Sequence, residues 1–90
     1  MNVKDFSEGE DKDFLMLVLK KIVEHPEDVQ VDRAVDEMGV LLTVRVNKAD
    51  MGKVVGREGQ NAKALRCLLR IIGSKNNSRV NMKIEDPKEE

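Results

Sequence analysis

A chain of 90 residues, 40% hydrophobic and 37% charged, has room for one small domain with one modest core. Its longest unbroken apolar run is residues 14–19, far short of the ~20 residues of a membrane span, and residues 1–13 are too polar and acidic for a signal peptide. A single cysteine excludes an internal disulfide and points to a reducing, cytoplasmic setting. The net charge of −1 conceals an asymmetry: residues 1–38 carry −6, residues 39–84 carry +8 and residues 85–90 carry −3. A basic segment of this kind is either a solvated face or the footprint of a polyanion, and position must decide between them.

Residues 1–10 show no periodicity and read as a loose acidic extension. Over residues 11–24 the apolar residues Phe14, Leu15, Val18, Leu19, Ile22 and Val23 form one wide stripe, with Asp13, Lys20, Lys21 and Glu24 opposite. That pattern predicts an amphipathic helix, started by Ser7 or Asp11 and stopped before Pro26. His25, the only histidine, is then a helix-terminal residue. Residues 29–36 read weakly as a strand. Residues 40–46 read strongly as one, because Leu42, Val44 and Val46 alternate with Leu41, Thr43 and Arg45. A hairpin through Asp36-Glu37-Met38-Gly39 connects them. Asn47 looks like an N-cap with Asp50 at N3, opening a short helix toward Val55.

Gln60 starts the clearest helix. Leu65, Leu68, Leu69 and Ile72 form its core-facing stripe, and Lys63, Arg66 and Arg70 lie nearly opposite. Gly73 fits the C′ position, and Cys67 beside the stripe reads as a small buried hydrophobe. Residues 80–84 alternate as a last strand, and residues 86–90 form an acidic tail. The order is α-β-β-α-α-β, an α+β domain with three strands in one mixed sheet and helices on one face.

Catalysis has little support. No base accompanies a nucleophile, no Cys/His cluster has metal-ligand spacing, and no P-loop pattern occurs. No enzyme activity, metal or cofactor is expected. The informative segment is Gly56-Arg57-Glu58-Gly59, set between a short helix and a long one inside the basic half. Glycines without Cβ let backbone N–H groups approach a sugar–phosphate chain, and the following helix contributes its N-terminal amides and partial positive charge. Lys53, Arg57 and Lys63 surround the loop.

This segment resembles the G-x-x-G loop of the KH domain, which clamps about four nucleotides of single-stranded nucleic acid. The element order resembles the type II arrangement. Over residues 11–85 the chain is similar to the small bacterial KhpA (YlqC) family of KH proteins. The likeness includes His25-Pro26-Glu27-Asp28-Val29, Asp50-Met51-Gly52-Lys53-Val54-Val55-Gly56 and Ala62-Lys63-Ala64-Leu65-Arg66. The resemblance implies a cytoplasmic, non-enzymatic RNA binder of the RNA-chaperone type, forming homodimers or heterodimers with a KhpB-like KH protein and linked in some bacteria to cell division.

It also implies that Gly56, Arg57, Glu58 and Gly59 form the clamp. Lys53, Val54 and Val55 would supply the rim and floor of the groove, Gln60, Asn61 and Lys63 its far side, and the 79–84 strand an edge for bases. Glu58 places a negative charge in the loop, and Gln60 stands where the family often has a basic residue, so weak binding of low specificity is expected. The only aromatics, Phe6 and Phe14, provide no stacking platform of the RRM or cold-shock kind. A helix-turn-helix reader would need a longer first helix. The alternative reading is an interaction module of KH fold acting through a partner KH protein. Its surface would be on Leu17 or near Cys67.

Overall fold

The computed structural model describes the backbone of residues 3–86 and the side chains of residues 9–86. Met1, Asn2 and most of the expected acidic tail lie outside the described residues. The first helix, α1, spans Val3–Ile22 and so begins before Ser7 or Asp11; residues expected to be an extension continue the helix instead. Long-range polar contacts hold this end in place. The buried Asp11 carboxylate accepts from Arg33 Nε at 2.9 Å, and Glu10 meets Lys75 Nζ at 3.6 Å and Asn76 Nδ2 at 3.3 Å. Partners so far away in sequence leave no local periodicity to read.

Leu15 and Leu19 on α1 are fully buried, with Val23 beside them. The chain turns through Pro26–Asp28 into β1 (Gln30–Asp36), then pairs antiparallel with β2 (Gly39–Arg45), matching Val31 with Val44 and Val35 with Val40. Asp36 Oδ1 accepts from Met38 N at 2.8 Å and shapes the hairpin. Gly39 has φ of 129°, and a Cβ there would come within 2.3 Å of the Arg79 carbonyl oxygen. That close approach lets Val40 N–H donate to Arg79 at 2.7 Å, which starts the parallel pairing of β2 with β3 (Val80–Ile84).

Between β2 and β3 run α2 (Met51–Val55) and α3 (Gln60–Lys75). The sheet order is β1-β2-β3. Its inner face contributes Val31, Val40, Leu42, Val44, Val80 and Met82 to the core, where Leu15, Leu19, Val54, Ala62, Leu65 and Leu69 meet them from the helices. The outer face carries an exposed ion-pair group in which Arg45 joins Asp32 and Glu85. The expected α+β order with a mixed three-stranded sheet is observed.

Three local expectations are corrected. Gly73 does not end α3 but is buried within it, because a Cβ there would meet Ser78 O at 2.6 Å and Val80 Cγ2 at 2.7 Å. The glycine therefore serves close packing of α3 on β3, and the helix continues to Lys75. Leu68 is 45% exposed rather than in the core, since α3 rests on the sheet through Ala62, Leu65 and Leu69. Cys67, one residue before it, is also exposed.

Asp50 departs most from its expected role. Asn47 does cap, accepting from Ala49 N at 2.8 Å, but Asp50 turns inward and is fully buried. Its two carboxylate oxygens accept from Glu24 N and His25 N, each at 3.0 Å. Amides just past the end of α1 are thereby tied to the residue that opens α2. Burial pushes the Asp50 carboxyl up, but the two amides, aided by His25 and Lys53, outweigh it and hold the carboxyl below its ordinary value of 3.8. A carboxyl depressed by folding stabilises fully above its unfolded value, and that contribution is lost as pH falls through the lower folded value. Asp50→Asn keeps one acceptor and loses the charge, so it should unfold at lower urea concentration than wild type at pH 7. The gap should close progressively below about pH 4. Urea titrations across that range check this; a gap that persists unchanged in acid would remove the ionised carboxylate from the account.

Candidate nucleic-acid interface

The loop is built by backbone conformations that L side chains resist. Gly56 has φ 79° and ψ 171°, and Gly59 has φ 76° and ψ 14°. Glu58 between them is left-handed at φ 56°, a cost that a non-glycine residue bears only where surrounding structure enforces it. The enforcement is visible. Gly56 N donates to Gly52 O at 2.8 Å and Gly59 N to Gly56 O at 3.1 Å. Asn61 Nδ2 reaches back from α3 to the Lys53 carbonyl oxygen at 2.8 Å, joining the two helices across the loop. A Cβ on Gly56 would lie 2.6 Å from Asn61 Cγ, whereas one on Gly59 would meet open space.

The sequence-derived site residues fall into two groups. Arg57, Glu58, Gln60 and Lys63 are exposed around the loop and the first turn of α3. The N-cap of α3, Gly59, has no side chain to accept from the first turn; Gln60 N donates to Arg57 O within the loop, and the positive end of the helix dipole points to the loop. The others are structural or already engaged. Val54 is fully buried and supports the groove from within the core rather than lining it, while Val55 is half-buried. Asn61 holds the loop. Lys53 donates to Glu24 at 2.7 Å; this contact raises the Lys53 ammonium and lowers the Glu24 carboxyl relative to their ordinary values.

Cations in the fold are thus sorted by partner. Arg33, Arg45, Lys53 and Lys75 pair with carboxylates. Among the described residues, Arg57, Lys63, Arg70, Arg79 and Lys83 have no carboxylate partner, and all five are exposed. Arg66 lies in the same tract, its Nε donating to Met82 O at 3.2 Å on the open edge of β3. Lys63, Arg70 and Arg79 carry this unpaired charge from the loop along one flank of α3 to the start of the edge strand. Lys20 and Lys21 on α1 are likewise exposed without a carboxylate partner among the described residues. Arg66, Arg70 and Arg79 were not among the site residues chosen from sequence. The spacing of Lys63, Arg66 and Arg70 was visible there, but only the tertiary fold sets that row beside β3.

On the α1 side of the loop, Ile22, Lys53, Asn61, Ala64 and Leu65 line an open depression of about 410 Å³. Among the described residues no group of three His, Cys, Asp or Glu could hold a metal ion, and no helix is long and apolar enough to cross a membrane.

The family described as KhpA/KhpB, KH domain, matches residues 12–84. The chain belongs to that family. Its α-β-β-α-α-β order and mixed sheet are those of a type II KH domain. It is 36% identical over 77 residues to the RNA-binding protein KhpA of Chlamydia caviae, covering 86% of this chain and 99% of that one. A protein of the same name from Listeria monocytogenes is 34% identical over 73 residues, 81% of this chain and 96% of the relative. The Leifsonia xyli protein reaches 45% over 65 residues, 72% and 86% of the two chains.

The contrast between the two loop glycines is measurable. Gly56→Ala should cost on the order of 2 kcal/mol of unfolding free energy, from strain and the Asn61 clash. Gly59→Ala, with only left-handed strain, should cost about 1 kcal/mol. Denaturant titrations of both variants check the order; equal losses would contradict the Asn61 packing.

Proposed function

We propose that this chain is a non-enzymatic protein that binds single-stranded RNA with low sequence specificity, in the manner of an RNA chaperone. The Gly56–Gly59 loop grips the backbone, with Arg57, Lys63 and the positive N-terminal end of α3 meeting phosphates. The observation that carries the reading is this loop, held in a glycine-dependent conformation at an uncapped helix start beside cations without acidic partners. RNA binding in the relatives' names agrees with it. Binding is weak because Lys53 is already paired with Glu24 and Glu58 adds a like charge to the phosphates.

Changing Arg57→Asp together with Glu58→Asp tests the clamp. Both side chains are exposed, and Asp tolerates the left-handed position better than Glu, so the melting temperature should hold. Affinity for a labelled single-stranded RNA, read by fluorescence anisotropy, should fall at least tenfold. For wild type on a four-nucleotide strand, contact with roughly three phosphates gives a fall of about 2 in log K per decade of salt. Retained affinity in the variant, or a flat salt response, would remove the loop from the function.

Assembly, as a homodimer or with a KhpB-like KH protein, would use one of two exposed apolar sites: Leu17 on α1, which is 57% exposed, or Ile71 on α3, which is 60% exposed with Leu68 and Cys67 beside it. On α3 this apolar stripe is distinct from the basic flank, so assembly and RNA binding do not compete for the same residues. Ile71→Glu should reduce the mass measured by light scattering to that of a monomer without lowering the melting temperature. An unchanged mass would clear this stripe of an assembly role.

A further inference from the structure

We propose that the turn between α3 and β3 forms a second phosphate-binding cup, which carries the RNA track beyond the nucleotides held at the loop. The cup is an open cavity of about 520 Å³ lined by Val80 and by the polar residues Arg70, Ser74, Asn77, Ser78, Arg79 and Asn81. It presents two guanidinium groups, two hydroxyls and two carboxamides, and its lining includes no carboxylate. Neither arginine has an acidic partner among the described residues, and both are exposed. The guanidinium fork matches the geometry of phosphate oxygens.

The cup is also stiff. Asn76 N and Ser78 N both donate to Gly73 O, at 3.0 and 2.7 Å, and Asn77 N donates to Ser74 O at 3.2 Å. Asn77 is held left-handed at φ 58°, and Gly73 allows Ser78 and Val80 to sit directly against the helix. A cup shaped by backbone hydrogen bonds orders little on binding, so its ionic contacts are not spent on loop entropy.

Position identifies the ligand class. An acidic peptide could satisfy two arginines, but the cup does not stand alone. Lys63, Arg66 and Arg70 recur at spacings of three and four on one flank of α3 and join the cup to the loop. From Gln60 to Ser74 the helix advances about 21 Å. A strand of regularly spaced phosphates fits a row of cations of that length. The loop accounts for about four nucleotides, so the whole track accommodates a longer strand of about eight.

This inference rests on the RNA-binding reading, and one experiment separates their failures. Labelled oligouridylates of four, six, eight and twelve nucleotides are titrated against wild type and an Arg70→Gln, Arg79→Gln double variant, after circular dichroism confirms an unchanged melting temperature. Wild-type affinity should rise between four and eight nucleotides and then level off. The double variant should bind the eight-nucleotide strand about tenfold more weakly, lose much less against the four-nucleotide strand, and on the eight-nucleotide strand lose about 1.4 from its salt slope through two fewer phosphates. Wild-type binding that is complete at four nucleotides, or an unaltered eight-nucleotide affinity in the variant, would overturn the cup and leave the loop standing. Absence of binding at every length in low salt would overturn both. Tighter binding of a polyglutamate peptide than of the RNA, lost in the same variant, would reassign the cup to an acidic protein partner.

Discussion

A buried carboxylate fixes the relation between the helical layer and the Gly56–Gly59 loop. Asp50 is fully enclosed, with both oxygens occupied by amides at the end of α1. A charged group taken out of water is tolerated only when its hydrogen-bonding capacity is met, so the chain has few places to put this residue. Once it is placed, α2 starts at a fixed point against α1. Its five residues lead directly to Gly56, and the orientation of the loop follows. Lys53 and Glu24, one turn from the same junction, add an exposed ion pair that orients α2 but contributes little by itself.

The loop is then closed by contacts that exclude side chains where backbone is needed. Asn61 bridges α3 to α2, and its side chain occupies the space that a Cβ on Gly56 would take. Gly39 and Gly73 act similarly at the other end of the domain, where β3 begins. One admits the Arg79 carbonyl against β2, and the other admits Ser78 and Val80 against α3. Glycine thus marks places where two pieces of backbone or helix must touch. Through those contacts the loop and the α3–β3 turn become two ends of one rigid helix.

Charge is distributed by the same economy of contacts. The acidic first part of the chain contributes Glu10, Asp11, Glu24 and Asp32 to pairs with Lys75, Arg33, Lys53 and Arg45. Those pairs neutralise cations around the helix ends and on the outer sheet face. They leave the flank of α3 that borders β3 without a counter-charge. The +8 of residues 39–84 is therefore concentrated by folding into a narrower positive track than composition alone implies.

Local rules read most of the elements. Alternation marked β2 and β3, a 3.6-residue period marked the middle of α1 and the start of α3, and Gly56 and Gly59 marked the loop, because each signal arises from residues within a few positions of one another. The errors share one physical cause. The start of α1, the role of Asp50, the burial of Gly73 and the exposure of Leu68 and Cys67 depend on partners on other elements. Val54 likewise satisfied a groove pattern yet is buried among core residues. The chain by itself thus determined the element order, the KH-type loop and the total of basic charge. Only tertiary structure decided which cations are paired with a carboxylate and which are left without one, because a charge is compensated by what lies a few ångströms away in space, not by what lies beside it in sequence.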